Sequence, residues 1–249
     1  MKKALTYLTL TLLLLFISPA LAAIGFWAAR DHPTSWRNAD WSSAGILPQA
    51  VADENAVIYI LSARTGGLKG ALATHSWIVT KAKRSDAYNR YDKVGWGLPI
   101  RKNAYDADSR WYSNNPQIVL AIKGEDADRL IPAIEAAIAG YPHSDKGDYQ
   151  IWPGPNSNTF VAHVLRAVPD LDIQLPPEAV GRDYPSEGKM FWASKDRHEY
   201  RFSLWGYAGI AAGKSTGFEL NFLGLVFGFE VVNPAIKLPG FGRLELATT

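Results

Sequence analysis

The chain has 249 residues, 47% hydrophobic and 20% charged, which fits one large folded domain, or one domain with an extension. Its formal net charge is +2 and its basic residues are scattered, as at Lys81, Lys83 and Arg84, so nucleic acid is not an expected partner. There is no cysteine, which excludes disulfides and thiolate nucleophiles; the five histidines lack paired ligand spacing, so neither a metal nor another cofactor is expected.

Lys2 and Lys3 precede an uncharged, mostly apolar run from Ala4 to Ala29. Ala20-Leu21-Ala22 has the A-x-A form of a signal-peptide cleavage site. The apolar run nevertheless continues through Ile24, Phe26 and Trp27, and it exceeds the roughly 20 residues that a bilayer core requires. An uncleaved transmembrane anchor is the favoured reading and a cleaved signal peptide the alternative. With the lysines inside, the main domain faces outward. The expected location is a bacterial inner membrane, with the domain in the periplasm or exterior.

Residues 30–55 read as an irregular, ordered linker rich in Trp and Pro. Four strands are expected next: Ala56 to Ala63, Ala71 to Thr80, Tyr88 to Trp96 and Pro116 to Ile122. Glu125 to Ala139 carries a helical period, acidic residues in its first turn and Gly140 at its end. Pro132 suits the first turn of the main helix after a short leading turn. A second helix is expected from about Asn158 to Val168, ended by Pro169. Residues 186–249 are rich in Gly and aromatics and read as packed β-structure, with a membrane-facing surface as the lesser reading.

The second helix opens with Trp152-Pro-Gly-Pro-Asn-Ser-Asn-Thr-Phe160. Asn and Ser are good N-caps, so Ser157 can be read as a cap. A serine at a helix N-terminus also sits beside unpaired N–H donors in a positive field, which suits a nucleophile and an oxyanion. Such a serine needs a base. His75, in Thr74-His-Ser-Trp77, is the candidate, with a structural histidine as the alternative; His163 lies six positions on, turned away from Ser157 on an ideal helix.

These two motifs resemble those of circularly permuted papain-like proteins: the PPPDE peptidases (which include the desumoylating isopeptidases), the lecithin:retinol acyltransferases and the NlpC-type cell-wall peptidases. Those families carry an early strand histidine and a later Asn-Cys-Asn-x-Phe or related motif opening a helix. Here Thr74-His75-Ser76-Trp77 and Asn156-Ser157-Asn158-Thr159-Phe160-Val161 occupy those places, with serine instead of cysteine. The whole chain also resembles an uncharacterised bacterial family that combines an N-terminal anchor with THSW, YDxVGWG and WPGPNSNTF-like segments.

The resemblance implies an α+β fold, a permuted papain-like (NlpC-like) antiparallel sheet packed by helices over residues 56–185. A β-rich extension (186–249) follows it, and the anchor (1–29) and linker (30–55) precede it. It also implies a histidine-orienting residue on the strand after His75, where Asn89, Tyr91 and Asp92 are available; Asp92 is the choice because a carboxylate orients and stabilises imidazolium, with an ordinary strand-end or surface aspartate as the alternative. Asn156, Asn158, Trp152 and Trp77 are candidate substrate-binding residues; for Trp77, and for Trp96, the core is the preferred reading. The expected function is serine-dependent hydrolysis or acyl transfer on a peptide, acyl or cell-wall substrate. The rival is a non-catalytic binding or scaffolding module on the same fold, in which Ser157 only caps the helix.

Overall fold

The computed structural model describes residues 2–171, 173–194 and 198–246. The chain opens with one long apolar helix: α1 (Lys2–Leu12), a π-helical turn (Leu13–Ile17) and α2 (Ser18–Ala28). By length and composition its 27 residues are enough to cross a membrane. Most of its side chains are exposed. Phe16, Ala20, Ala23 and Trp27 are buried against the rest of the protein, and the Trp27 indole donates to the Gly67 carbonyl at 3.0 Å.

The first sheet is antiparallel, in the order β4-β3-β2-β1-β5. Its strands are β1 (Val57–Arg64), β2 (Thr74–Lys81), β3 (Asn89–Lys93), β4 (Ile100–Lys102) and β5 (Gln117–Lys123). The expected second strand starts late because Gly67–Ala71 forms a 3-10 turn, and the three-residue β4 is too short to show a period.

Two helices follow, α3 (Glu125–Ala139) and α4 (Ser157–Ala167). Pro132 lies inside a continuous α3, not in its first turn as the sequence suggests. The carbonyl that loses its helical partner belongs to Asp128, on the exposed side, where water can replace the missing N–H. α3 and α4 pack on the face of Ile58, Ile60, Ile78 and Tyr91. The opposite face, with Tyr59, Leu61, Trp77 and Val79, is covered by Trp111 together with Trp41 and Leu47 from the 30–55 segment.

The second sheet is a seven-stranded antiparallel meander: β6 (Phe191–Ser194), β7 (Glu199–Leu204), β8 (Ala208–Gly213), β9 (Gly217–Phe222), β10 (Leu225–Glu230), β11 (Ala235–Leu238) and β12 (Gly242–Glu245). The fold is thus a mixture of helices and two antiparallel sheets, with an apolar helix in front.

The side of the second sheet that faces the protein is charged. Glu219 accepts from Arg182 at 2.5 Å, Arg201 at 3.1 Å and Lys237 at 2.7 Å, and Asp183 pairs with Arg201 at 2.6 Å. Burial alone would raise the Glu219 pKa, but the three cations override it and hold the carboxyl well below its usual range. A carboxylate whose folded pKa is depressed stabilises the fold fully above its unfolded pKa of about 4.3, and this contribution drains away as pH falls towards the folded value. Replacing Glu219 with Ala leaves buried cations unpaired; a loss of about 3–5 kcal/mol is expected in urea unfolding at pH 7. The gap between the variant and the parent should narrow below pH 4.

Candidate functional site

The start of α4 is tied down by side chains from its own first turn. Asn156, not Ser157, is the N-cap: its Oδ1 accepts from the backbone N–H groups of Asn158 (2.9 Å) and Thr159 (3.1 Å), and Thr159 Oγ1 accepts from the Asn156 N–H at 3.1 Å. This is a capping box with threonine in the reciprocal position. Asn156 Nδ2 donates to the carbonyls of Ile151 and Val180, and Thr159 Oγ1 donates to Gly181 O at 2.7 Å. Gly181 has φ +97°, and a Cβ there would fall 2.3 Å from Asn156 Nδ2, so the close approach needs glycine. The Trp152–Pro153 and Gly154–Pro155 bonds leading into this turn are both cis.

Asn158 brings the two motifs together. Its Nδ2 donates to the Thr74 carbonyl at 2.8 Å and to Val180 O at 2.8 Å. Ser157 and His75 are therefore each one residue from a hydrogen-bonded pair. Strand alternation puts His75 on the aromatic side of the sheet with Trp77, while α4, with Ser157 at its start, packs on the other side. Ser157 is 2% exposed and His75 is 3% exposed. Among the described residues no hydrogen bond joins them.

His75 Nε2 lies 3.0 Å from Asp92 Oδ1. Arg90 grips the same carboxylate with two hydrogen bonds, Nε to Oδ2 at 2.8 Å and Nη2 to Oδ1 at 2.9 Å. Arg90 is held in turn by Asp106 O and Ser109 Oγ, and its guanidinium lies 4.1 Å over the Trp77 ring. Burial raises the Asp92 pKa, but Arg90 and His75 outweigh it and keep the carboxyl below its ordinary value. Burial lowers the His75 pKa more than Asp92 raises it, so His75 is neutral at pH 7. An ionised Asp92 only accepts, so Nε2 carries the proton and Nδ1 is left bare. The His75 ring is stacked on Trp111, with centroids 3.7 Å apart and planes 5° apart.

Ser157 has a neighbour that its motif does not reveal. The Tyr149 phenol lies close to Ser157, whose side chain and backbone act on its titration against burial. Burial prevails and raises the Tyr149 pKa, so it is a neutral phenol. Lys93, fully buried, sits 5.9 Å from the Tyr149 ring centroid.

The other candidate residues fall in different settings. Trp77 is wholly buried, its indole donating to Ala107 O at 2.9 Å. Trp152 is 44% exposed and donates to Leu223 O at 2.8 Å. Asn156 and Asn158 are buried in the cap. His163 lies 3.5 Å from Glu187 Oε1 and is not at the serine. Trp96, placed in the core from sequence, is half exposed, because it borders a cleft of about 560 Å³ with Trp36, Trp41, Arg101, Tyr105 and Tyr112. That cleft adjoins Trp111, whose ring contacts those of Trp41, Trp96 and Tyr105. Sequence reasoning missed Tyr149 and Arg90. Arg90 was findable, because two residues apart on one strand it shares a face with Asp92; Tyr149 stands in an irregular loop that gives no period.

A histidine with a lowered folded pKa stabilises the fold above its unfolded pKa of about 6.5, and that stability is lost as pH falls. Unfolding followed by urea should therefore show stability falling between pH 7 and pH 5. His75→Gln should flatten that slope in part only, because burial lowers the His163 pKa as well.

No curated protein and no solved structure matches the chain significantly. A family described as proteins of unknown function, DUF3750, matches residues 55–184, which include His75, Asp92, Tyr149 and Ser157. With half of its length matched, this chain belongs to the DUF3750 family.

Proposed function

We propose that this protein is a membrane-anchored serine hydrolase or acyltransferase acting on an amide or ester. The observation that carries the reading is that Asn156 and Thr159 cap α4, so the Ser157 hydroxyl is not used as the cap. A serine at the first helical position, on a helix tied by Asn158 to the strand residue before a histidine that a carboxylate orients, has the parts of an acyl-transfer site. The apolar helix Lys2–Ala28 supplies the anchor.

In this mechanism Ser157 Oγ attacks the substrate carbonyl and its proton passes to the bare Nδ1 of His75. Asp92 holds Nε2–H and stabilises the imidazolium; Arg90 keeps Asp92 ionised and fixed. The oxyanion is met by the backbone N–H of Ser157, at the first helical position of α4. The leaving group takes the proton back from Nδ1, and water or an acceptor then releases the acyl group by the reverse sequence. The hydroxyl cannot be ionised in advance as a thiol can, so this proton transfer must be concerted with attack. The cleft beside Trp111 is where an apolar part of a peptide, acyl or cell-wall substrate would lie.

A second reading, a non-catalytic binding module, is favoured by the lack of a Ser157–His75 hydrogen bond among the described residues and by the burial of both. In that case the aromatic cleft is the binding site. Catalytic hydrogen bonds often tighten only when substrate binds, so the apo geometry does not decide against the first reading.

Full-length protein in detergent, treated with a fluorophosphonate probe, separates the two. The hydrolase reading expects labelling that is abolished by Ser157→Ala and slowed roughly 10²–10⁴-fold by His75→Ala. Folded protein that takes no label would leave the binding module.

A further inference from the structure

The second sheet has its polarity reversed. In β7, Glu199, Arg201 and Ser203 are buried, while Tyr200, Phe202 and Leu204 are 55%, 42% and 48% exposed. The register extends this pattern across the meander. Phe191, Phe202, Ile210, Leu220 and Phe227 form one outward cross-strand row. Tyr200, Ala212, Phe218, Phe229, Ile236 and Leu244 form the next. Neither row contains a charge. The inward row runs through Arg201, Glu219, Lys237 and Arg243. A sheet in water buries its apolar face and solvates its polar one; this sheet does the opposite, and its outward rows far exceed the isolated apolar residues that ordinary surfaces carry.

The same face holds the apolar N-terminal helix. The Phe16 ring lies 5.7 Å from Phe222 and 6.5 Å from Phe227, and Phe26 lies 6.1 Å from Phe241. Phe222 and Phe227 belong to the outward side, by their pairing with Ala208 and Leu220. Beyond Phe16 the helix continues with exposed Leu5, Leu8, Leu10 and Leu14. A helix that enters a bilayer brings with it the face on which it lies. The turn between β7 and β8 adds Trp205 and Tyr207, both exposed, of the kind that gathers at a membrane interface.

We infer that the outward face of β6–β12 is a membrane-embedded surface, continuous with the N-terminal helix and seated in the lipid bilayer. The inference rests on the anchor part of the proposed function and is independent of the chemistry at Ser157. The sheet does not span. It is open, and the unpaired backbone groups of its β6 and β12 edges need water or headgroups. The face therefore lies along one leaflet with its edges at headgroup depth. The active-site candidates are carried on the first sheet and on α4, and the attachment would hold them at a fixed height above the lipid.

The absence of cysteine makes a direct test available. Full-length protein in nanodiscs is labelled through single cysteines with the environment-sensitive dye NBD, at Leu14→Cys on the helix, Ile210→Cys and Phe229→Cys on the sheet, and Lys83→Cys as an exposed control. The inference expects blue-shifted emission at 14, 210 and 229 that is lost when the lipids carry spin-labelled acyl chains, and no change at 83. Quenching at 14 without quenching at 210 and 229 would overturn the sheet surface and leave the anchor. No quenching at 14, 210 or 229 would overturn both. Blue-shifted emission at 210 and 229 that lipid-borne quenchers do not touch would overturn it in favour of a second copy or another protein on that face. Both sheet positions are exposed, and two of them are used so that one misfolded variant does not decide the outcome.

Discussion

The hydrogen bonds from Asn156, Asn158 and Thr159 fix the position of everything else at the candidate site. Three adjacent side chains cap α4, hold the 180–181 turn, and reach the Thr74 carbonyl at the start of β2. Each net hydrogen bond contributes only about 1 kcal/mol, but together they use buried donors that would otherwise stand unpaired in a low-dielectric interior. They also join two segments more than eighty residues apart in sequence, since Asn158 and Thr74 are separated by 84 positions. Without that tie, the positive end of the helix would have no fixed relation to the histidine.

Buried charge is arranged differently in the two sheets. In the first, beside the separately buried Lys81 and Lys93, it is a small cluster, His75–Asp92–Arg90, closed over by Trp77 and Trp111. In the second it is a layer centred on Glu219, and it lies between the sheet and the segment carrying Arg182 and Asp183. Buried ion pairs contribute less to net stability than hydrophobic contacts of the same size, yet removing one partner is costly. The second layer therefore fixes which way the meander faces: its charged rows must turn inward to meet Arg182 and Asp183, and its apolar rows are left outside. That orientation also puts Phe222 and Phe227 under Phe16.

Much of the first sheet and the helices α3 and α4 could be read from sequence, because β1 is a short, β-branched apolar run and α3 carries a strong helical period with clear ends. The identity of the cap could not, since Asn156, Ser157 and Asn158 are all residues that cap helices, and only the backbone geometry selects Asn156. The reversed face was partly visible. Glu199 to Leu204 alternates polar and apolar, but alternation does not say which side meets the protein. Glycine-rich aromatic composition was a weaker clue than that period, and it pointed to β-structure without a direction. Tyr149 comes from a loop whose path is set by contacts distant in sequence, so nothing local marks it as a neighbour of Ser157.

The account of the candidate site stands on the protonation state of one ring. Nitrogen-15 chemical shifts of His75 in uniformly labelled protein at pH 7 report it directly. A neutral imidazole with its proton on Nε2 and a bare Nδ1 is the predicted result, since Asp92 accepts from Nε2 and burial keeps the ring uncharged. A proton on Nδ1, in either the other tautomer or the imidazolium, would contradict the account, because the ring would then have no lone pair to receive the Ser157 proton.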